Sequence, residues 1–332
     1  MKSILVYSPN PLDGVSFYRQ WGPLSAMRNE YRISSFSNVP AELTWWTWYH
    51  NYDIALLSRP NKYNDLFFAQ QCKKFGLPLW VDYDDALLEM PSDNPTFHTF
   101  GTPQAKNWIT EVLKLADVIT VCSELQKKEF EEKYSLKNVI YLPNALDDRW
   151  LKYQKAFPQG SKKVYWRGSD SHLPDLLLYM REIQNTVDRK LDHEFLFWGI
   201  NPVFLQQSRN NKIYYFPFVN MEDFVVENTK YNARASFVVL RDDFFNRVKS
   251  NISWFDATLA GSVLLAPDYE GFSGFPGLRT FGKGHFAKEF LRLLDSSDAA
   301  LEAEHKISKE YILDNLLLSR VNNTRREIIN NL

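Results

Sequence analysis

The stretch DFFNRVKSNISWFDATLAGSVLLAP, Asp243–Pro267, decides how this chain is read. A polar, basic loop (Asn246, Arg247, Lys249, Ser250, Asn251) runs into a short helical segment that carries one acid, Asp256. Gly261 ends that segment, and a small apolar strand, Ser262–Ala266, follows. Phosphate binding uses parts in this order. A cation and free backbone N–H groups gather at a helix start, where the dipole favours an anion. One acid a turn or two along the helix is then placed to hold a ribose hydroxyl. An ordinary loop–helix–strand unit of an α/β protein shows the same order, so the rest of the chain must decide.

The chain has 332 residues, room for two domains of about 150 residues each. Its 24 Phe, 17 Tyr and 10 Trp point to a large core with aromatic surface left for stacking. A net charge of −1 gives no global field toward DNA or anionic lipid, which argues against non-specific nucleic-acid binding. Cys72 and Cys122, in apolar contexts, read as buried free thiols of a reducing compartment. The N-terminal MKSILVYSPN reads as a strand, too quickly polar for a signal peptide. No apolar run reaches the ~18 residues that span a bilayer. The expectation is a cytoplasmic, monomeric protein.

Short apolar runs alternate with helical patterns, the signature of parallel sheets with crossover helices. Strands are expected at Ser3–Tyr7, Tyr31–Ser35, Ile54–Ser58, Leu79–Asp82, Val118–Val121 and Val139–Leu142. Helices are expected at Tyr18–Asn29, Asn64–Phe75, Trp108–Leu115 and Ser123–Tyr134, with Ser123 as an N-cap. A second series follows the polar stretch Gln159–Lys163, with strands at Val164–Arg167, Glu194–Trp198, Ile213–Phe216, Ala235–Leu240 and Val263–Ala266. The fold class is therefore α/β, with two Rossmann-like, doubly wound domains facing a cleft. The expected boundaries are 1–158, 159–306 and a helical segment at 307–332.

Several places can carry chemistry. Gly14 follows the first strand and permits a tight turn, although the other glycines of a dinucleotide fingerprint are absent. Arg19 lies on the next helix. Asp82, Asp84 and Asp85 cluster just past a strand end, where open α/β sheets bind ligands. A carboxylate there can take a proton from a hydroxyl, and clustered acids raise one another's pKa. The same acids can hold a divalent metal or cap a helix. In the second half, Gly168 and Ser169 meet a helix start that can cradle a diphosphate, with Arg167 and His172 beside it. Trp45, Trp46, Trp48 and Tyr49 form an aromatic cluster suited to stacking or to a core.

Taken together in this order, these elements resemble GT-B glycosyltransferases, the family 4-like group found in bacteria and phages. The resembling segments are Gly14-Val15 with Tyr18-Arg19, the Asp82–Asp85 turn, Gly168-Ser169 with His172 and Asp175-Leu176, and the Lys249–Gly261 unit. Ala116–Val121 and Leu142–Asp147 resemble the family as well, and the likeness runs from Lys2 to about Gly271. A more distant resemblance, at Asp82, is to phage DNA glucosyltransferases. The resemblance implies a nucleotide-diphosphate sugar as co-substrate, with no other cofactor and no required metal. It implies donor contacts from Gly14, Arg167, Gly168, Ser169, His172, Asn246, Arg247, Lys249, Ser250 and Asp256, and acceptor contacts from Tyr18 and Arg19. The acceptor is a glycan, a protein or a modified DNA base.

One departure matters. The first of the two acids that such retaining enzymes carry would fall at Val248. An inverting displacement with Asp82 as base, and Asp84 and Asp85 in reserve, then becomes the expectation. The other readings are a non-enzymatic carbohydrate- or DNA-binding protein on the same scaffold, and a sugar-nucleotide epimerase.

Overall fold

The computed structural model of the protein describes residues 1–7, 13–36 and 50–332. The aromatic cluster Trp45, Trp46, Trp48 and Tyr49 lies outside the described residues. The chain divides into two compact units. The first is Met1–Asp147 with Val248–Ser250 and Leu318–Leu332; the second is Asp148–Arg247 with Asn251–Leu317.

Among the described residues the first unit holds one six-stranded parallel sheet. Its strands are β1 (Ser3–Tyr7), β2 (Arg32–Phe36), β3 (Ile54–Ser58), β4 (Leu79–Tyr83), β5 (Val118–Val121) and β6 (Val139–Tyr141), in the order β2-β1-β3-β4-β5-β6. Strands β3 and β4, IALLS and LWVDY, are buried at every residue. That is the mark of a parallel sheet covered on both faces. Helix signals act where expected. Ser123 accepts from Gln126 N at the start of helix Glu124–Glu132. Gly76, at φ 71°, ends helix Tyr63–Phe75, its N–H returned to Cys72 O and Lys73 O.

The expected helix Tyr18–Asn29 is instead two short helices, Gly14–Arg19 and Trp21–Ser25, broken at Gln20. Pro23 has no N–H to continue the first helix. Gly22 lets the second approach closely, because a Cβ there would lie 1.9 Å from Phe17 O. The expected C-terminal segment is also divided. Helix Asp298–Asn315 belongs to the second unit, whereas helix Leu318–Asn331 completes the first. Leu318, Val321, Ile328 and Ile329 join Ile4, Val6, Leu24 and Met27 in one core. Lys2 Nζ donates to Ile329 O at 2.8 Å, and Arg326 pairs with Glu30 at 2.7 Å.

Helix Glu124–Glu132 carries a pH-dependent weakness. One Glu129 carboxylate oxygen is buried with no described donor to it, while Lys133 lies 3.5 Å from the other. Lys133 and Tyr134 both donate to the neighbouring Glu89. Burial, with the Glu89 charge beside it, pushes Glu129 up to about 7. A raised carboxyl pKa favours folding while the group is protonated. Its contribution is full below the ordinary value and fades as pH rises through about 7. Glu129→Gln is expected to melt above the wild type at pH 8 and level with it near pH 4.5. Parallel melting curves at both pH values would contradict this.

The second unit repeats the architecture, again with six described strands, all parallel. These are β7 (Lys163–Arg167), β8 (Glu194–Trp198), β9 (Ile213–Phe216), β10 (Ala235–Phe237), β11 (Val263–Pro267) and β12 (Arg279–Phe281), ordered β12-β11-β10-β7-β8-β9. The core is aromatic, with Phe237 and Phe290 rings 4.7 Å apart and Phe286 stacked on Phe290 at 5.2 Å. Each such ring contributes roughly 1.5–3 kcal/mol by burial. No described helix is long and apolar enough to cross a membrane.

In each sheet the first strand is internal, and the strand order reverses beside it, between β1 and β3 and between β7 and β10. Open α/β sheets take ligands at such reversal points, outside the carboxyl ends of the strands.

Candidate functional site

In the second unit, β7 ends at Arg167 and the chain turns through Gly168-Ser169 into a 3-10 turn, Asp170–His172, and a six-residue helix, Leu173–Leu178. Gly168 is required by packing: a Cβ would lie 2.6 Å from the Trp166 ring. Gly199, at φ 89°, sits behind it, and a Cβ there would lie 2.1 Å from Gly168 O. Two strand ends thus meet with bare backbone between them. Phe218, 69% exposed, rims the same place.

Asp175 ties this turn to the loop after β10. Its buried carboxylate accepts from Arg241 N and Asn246 Nδ2, both at 3.0 Å, and lies 3.2 Å from His172 Nδ1. The Arg241 guanidinium stands 3.5 Å from the same oxygen. Asp256, on helix Ile252–Leu259, is buried and paired with Arg167 at 2.5 Å. The Arg167 guanidinium remains 24% exposed and lies over the Phe224 ring. Arg247 is half-exposed and paired with Asp242 at 2.6 Å.

In the first unit, Asp82 is 1% exposed. Arg19 grips it with two bonds, Nη2 to Oδ1 at 2.6 Å and Nε to Oδ2 at 3.1 Å. Thr120 Oγ1 also donates to Asp82 and itself accepts from Trp80 Nε1 at 2.8 Å. The remaining Arg19 nitrogen donates to Leu142 O and Asn144 Oδ1. Tyr18 is buried as well.

The other two acids are organised by Arg59, which directly follows β3. Its φ of 44° is left-handed, a conformation that costs a residue with a Cβ about 1–3 kcal/mol. Its contacts hold it there. Arg59 N donates to Asp82 O at 3.0 Å, Nε to Asp84 Oδ1, and Nη2 to Asp85 Oδ2 at 2.5 Å. Lys249 Nζ takes the other Asp85 oxygen at 2.6 Å. Ser250 accepts from Asn144 Nδ2 at 2.7 Å. No described group donates to Asp84 Oδ2. Burial raises the Asp84 carboxyl above the usual range, Arg59 opposes this, and Asp85 adds to it. The Cys122 thiol donates to Asp84 O, and burial pushes it up to about 12, leaving it an inert thiol at neutral pH.

These two parallel sheets have close structural counterparts. HepE of Anabaena, in complex with UDP, matches with a TM-score of 0.67 and 12% identity over 100% of both chains. An E. coli structure named trehalose-6-phosphate, bound with UDP-2-fluoro glucose, matches at 0.64 and 12% over 99% of this chain and 98% of that one. The chain has the GT-B fold. TarM of S. aureus, bound to UDP, shares it with a TM-score of 0.63 and 12% identity over 87% of this chain, which spans only 58% of TarM. At this identity the likeness is one of fold. No protein-family model matches the chain, and no curated protein matches it by sequence.

Within the GT-B frame, the second unit brings together Arg167, Gly168, Ser169, His172, Asn246 and Asp256 around one end of its sheet. Lys249 and Ser250 are packed into the first unit, against Asp85 and Asn144. Gly14 opens the first helix, with Asp13 accepting from Ser16 N at 2.7 Å. Asp82 and Arg19 are joined to each other. The sequence reading missed Arg59, Arg241 and Phe218. Arg59 and Arg241 each follow a buried strand closely, and that position was their only sequence signal.

Proposed function

We propose that the protein is a glycosyltransferase moving a hexosyl or pentosyl unit from a nucleotide-diphosphate donor to an acceptor hydroxyl. The observation that carries this reading is the β7–β10 edge of the second unit. There Arg167, Arg241, His172 and the bare Gly168-Ser169 backbone stand together at the strand-order reversal. The fold is one that HepE and TarM use to hold UDP. In this reading the Ser169 N–H and the two arginines take the diphosphate, while Gly168 N, which donates to Trp198 O at 3.1 Å, holds the turn on the sheet. The exposed Phe218 ring offers the nucleobase a face to stack on. Asp256, being buried, keeps the Arg167 guanidinium in place. Arg247 and Asn246 support the loop.

The first unit serves the acceptor. Asp82 holds Arg19 and the strand ends together, and the proton-accepting role passes to Asp84, whose Oδ2 accepts from no described group. Lys249 tethers Asp85. Because Arg59 and Lys249 occupy these carboxylates, the reading is metal-independent, with protein cations neutralising the leaving diphosphate. Membership of the family 4-like group of bacteria and phages, work in the cytoplasm, and a glycan, protein or modified-DNA acceptor belong to the same proposal.

Calorimetry with UDP tests the donor site. Arg167→Gln keeps a donor for Asp256 but loses the charge. Losing one charge-assisted contact costs roughly 1.5–3 kcal/mol, about tenfold or more in affinity. Unchanged affinity would remove Arg167 from the site. A panel of sugar nucleotides, watched for slow release of nucleoside diphosphate, tests turnover. The second reading, a non-enzymatic binder, draws on one observation: Val248, fully buried and apolar, stands where the first acid of the retaining enzymes would fall. A binder would hold the nucleotide and release none.

A further inference from the structure

The loop that carries Arg59 continues into Asn61 and Lys62, and there it borders a cavity of about 650 Å³ in the first unit. The other wall is built from His98, Thr99, Gln104 and Trp108. Asn61 is buried, and its Nδ2 donates to Thr99 O at 2.9 Å, so one bond ties the two walls together. Trp108 presents a half-buried ring. None of the lining residues is acidic. Lys62 and His98 are both exposed, and the Lys62 charge is shared only at a distance with the Asp65 carboxylate. The neighbouring acid, Asp65, directs its carboxylate to the backbone N–H groups of Asn61 and Lys62 at 2.8 and 2.9 Å.

These properties select a ligand class. Small-molecule sites run from about 300 to 1,000 Å³, with an aromatic wall and few polar groups. One or two sugar rings fit that size. An indole face packs against the C–H face of a sugar ring, while amide and hydroxyl side chains meet its hydroxyls. An exposed ammonium, with no acid in the wall itself, favours an anion through charge-assisted hydrogen bonds. We propose that this cavity takes the terminal sugar of the acceptor, and that this sugar is acidic. Its phosphate or carboxylate lies against Lys62 and His98, and its ring lies on Trp108. The assignment to the acceptor rests on the transferase reading above. The preference for an acidic sugar does not.

The test uses the full chain without donor. Binding is followed by ligand-observed NMR and calorimetry with glucose, glucose 6-phosphate, glucuronic acid and inorganic phosphate. Both acidic sugars are expected to bind about tenfold or more tighter than glucose, and inorganic phosphate more weakly than either. Lys62→Gln should abolish that preference while glucose still binds, and Trp108→Ala should weaken all three sugars. Lys62 is exposed, so its variant is informative even where Trp108→Ala fails to fold. Equal binding of glucose and the acidic sugars, phosphate competing as well as the acidic sugars, or an unchanged preference in Lys62→Gln would each overturn the proposal. A parallel UDP titration separates the two readings. UDP binding without an acidic-sugar preference sinks the cavity assignment alone. An acidic-sugar preference without UDP binding sinks the donor assignment alone.

Discussion

Replacing Arg19 with methionine is expected to destabilise the protein by about 3–5 kcal/mol, the cost of breaking a buried ion pair. The Arg19 side chain is wholly buried and that of Asp82 is 2% exposed. Without Arg19, the carboxylate keeps only the Thr120 hydroxyl as a described side-chain donor. Asp82→Asn should likewise lower stability, because an amide group would face the Arg19 guanidinium with its own donor. The double variant Arg19→Met/Asp82→Leu should recover much of the loss, since an apolar pair of similar volume carries no desolvation cost. Urea titrations of the three variants measure this. If Asp82→Asn unfolds like the wild type but loses turnover, Asp82 is a chemical group after all and the pairing with Arg19 is not what sustains it.

The second large effect concerns Asp84. General-base assistance is worth about 10²–10⁴-fold. Asp84→Asn is therefore expected to lower turnover by that factor with UDP affinity close to wild type, and to lower the melting temperature only as far as the lost Arg59 contact requires. One oxygen of Asp84 is held by Arg59 and the other accepts from no described group, which is the arrangement a positioned base needs. Asp85, with both oxygens occupied by Arg59 and Lys249, should respond chiefly through stability. The wild-type product is expected to show inverted anomeric configuration by NMR. Near wild-type turnover in Asp84→Asn, or a retained configuration, would end this assignment.

Much of the fold was legible because parallel strands buried on both faces read as short apolar runs, as in Ile54–Ser58 and Leu79–Tyr83. The helix break at Gln20 was legible in Pro23, had its missing N–H been weighed against the helical periodicity. β12, at three residues, was too short to register as a strand. The site was less legible, since partner choice is a tertiary property. An acid inside a fully apolar strand must be paired, so the burial of Asp82 could have been anticipated. Nothing in the chain pointed to Arg19 as its partner, sixty-three positions away. Lys249 misled for a similar reason. The loop–helix–strand order around it is present, with helix Ile252–Leu259 and strand Val263–Pro267, but three residues, Val248–Ser250, are packed into the other unit. The left-handed backbone at Arg59 left no trace in the sequence, because arginine has no preference for it.

The helix Leu318–Asn331, clamped to the first strand through Lys2 and Ile329, imposes an order on biosynthesis. Chains leave the ribosome from the N-terminus at roughly 5–20 residues per second. The strands of the first unit are made before the second unit, but its closing helix is made only after it. For on the order of 10–40 seconds, the Ile4–Val6 strand, Leu24 and Met27 must wait with part of their apolar cover missing. The second unit, drawn almost entirely from one continuous segment, can fold within that interval. The nascent chain therefore exposes a sticky N-terminal sheet face until synthesis passes residue 329, and this is the species on which a chaperone holding the growing polypeptide would act.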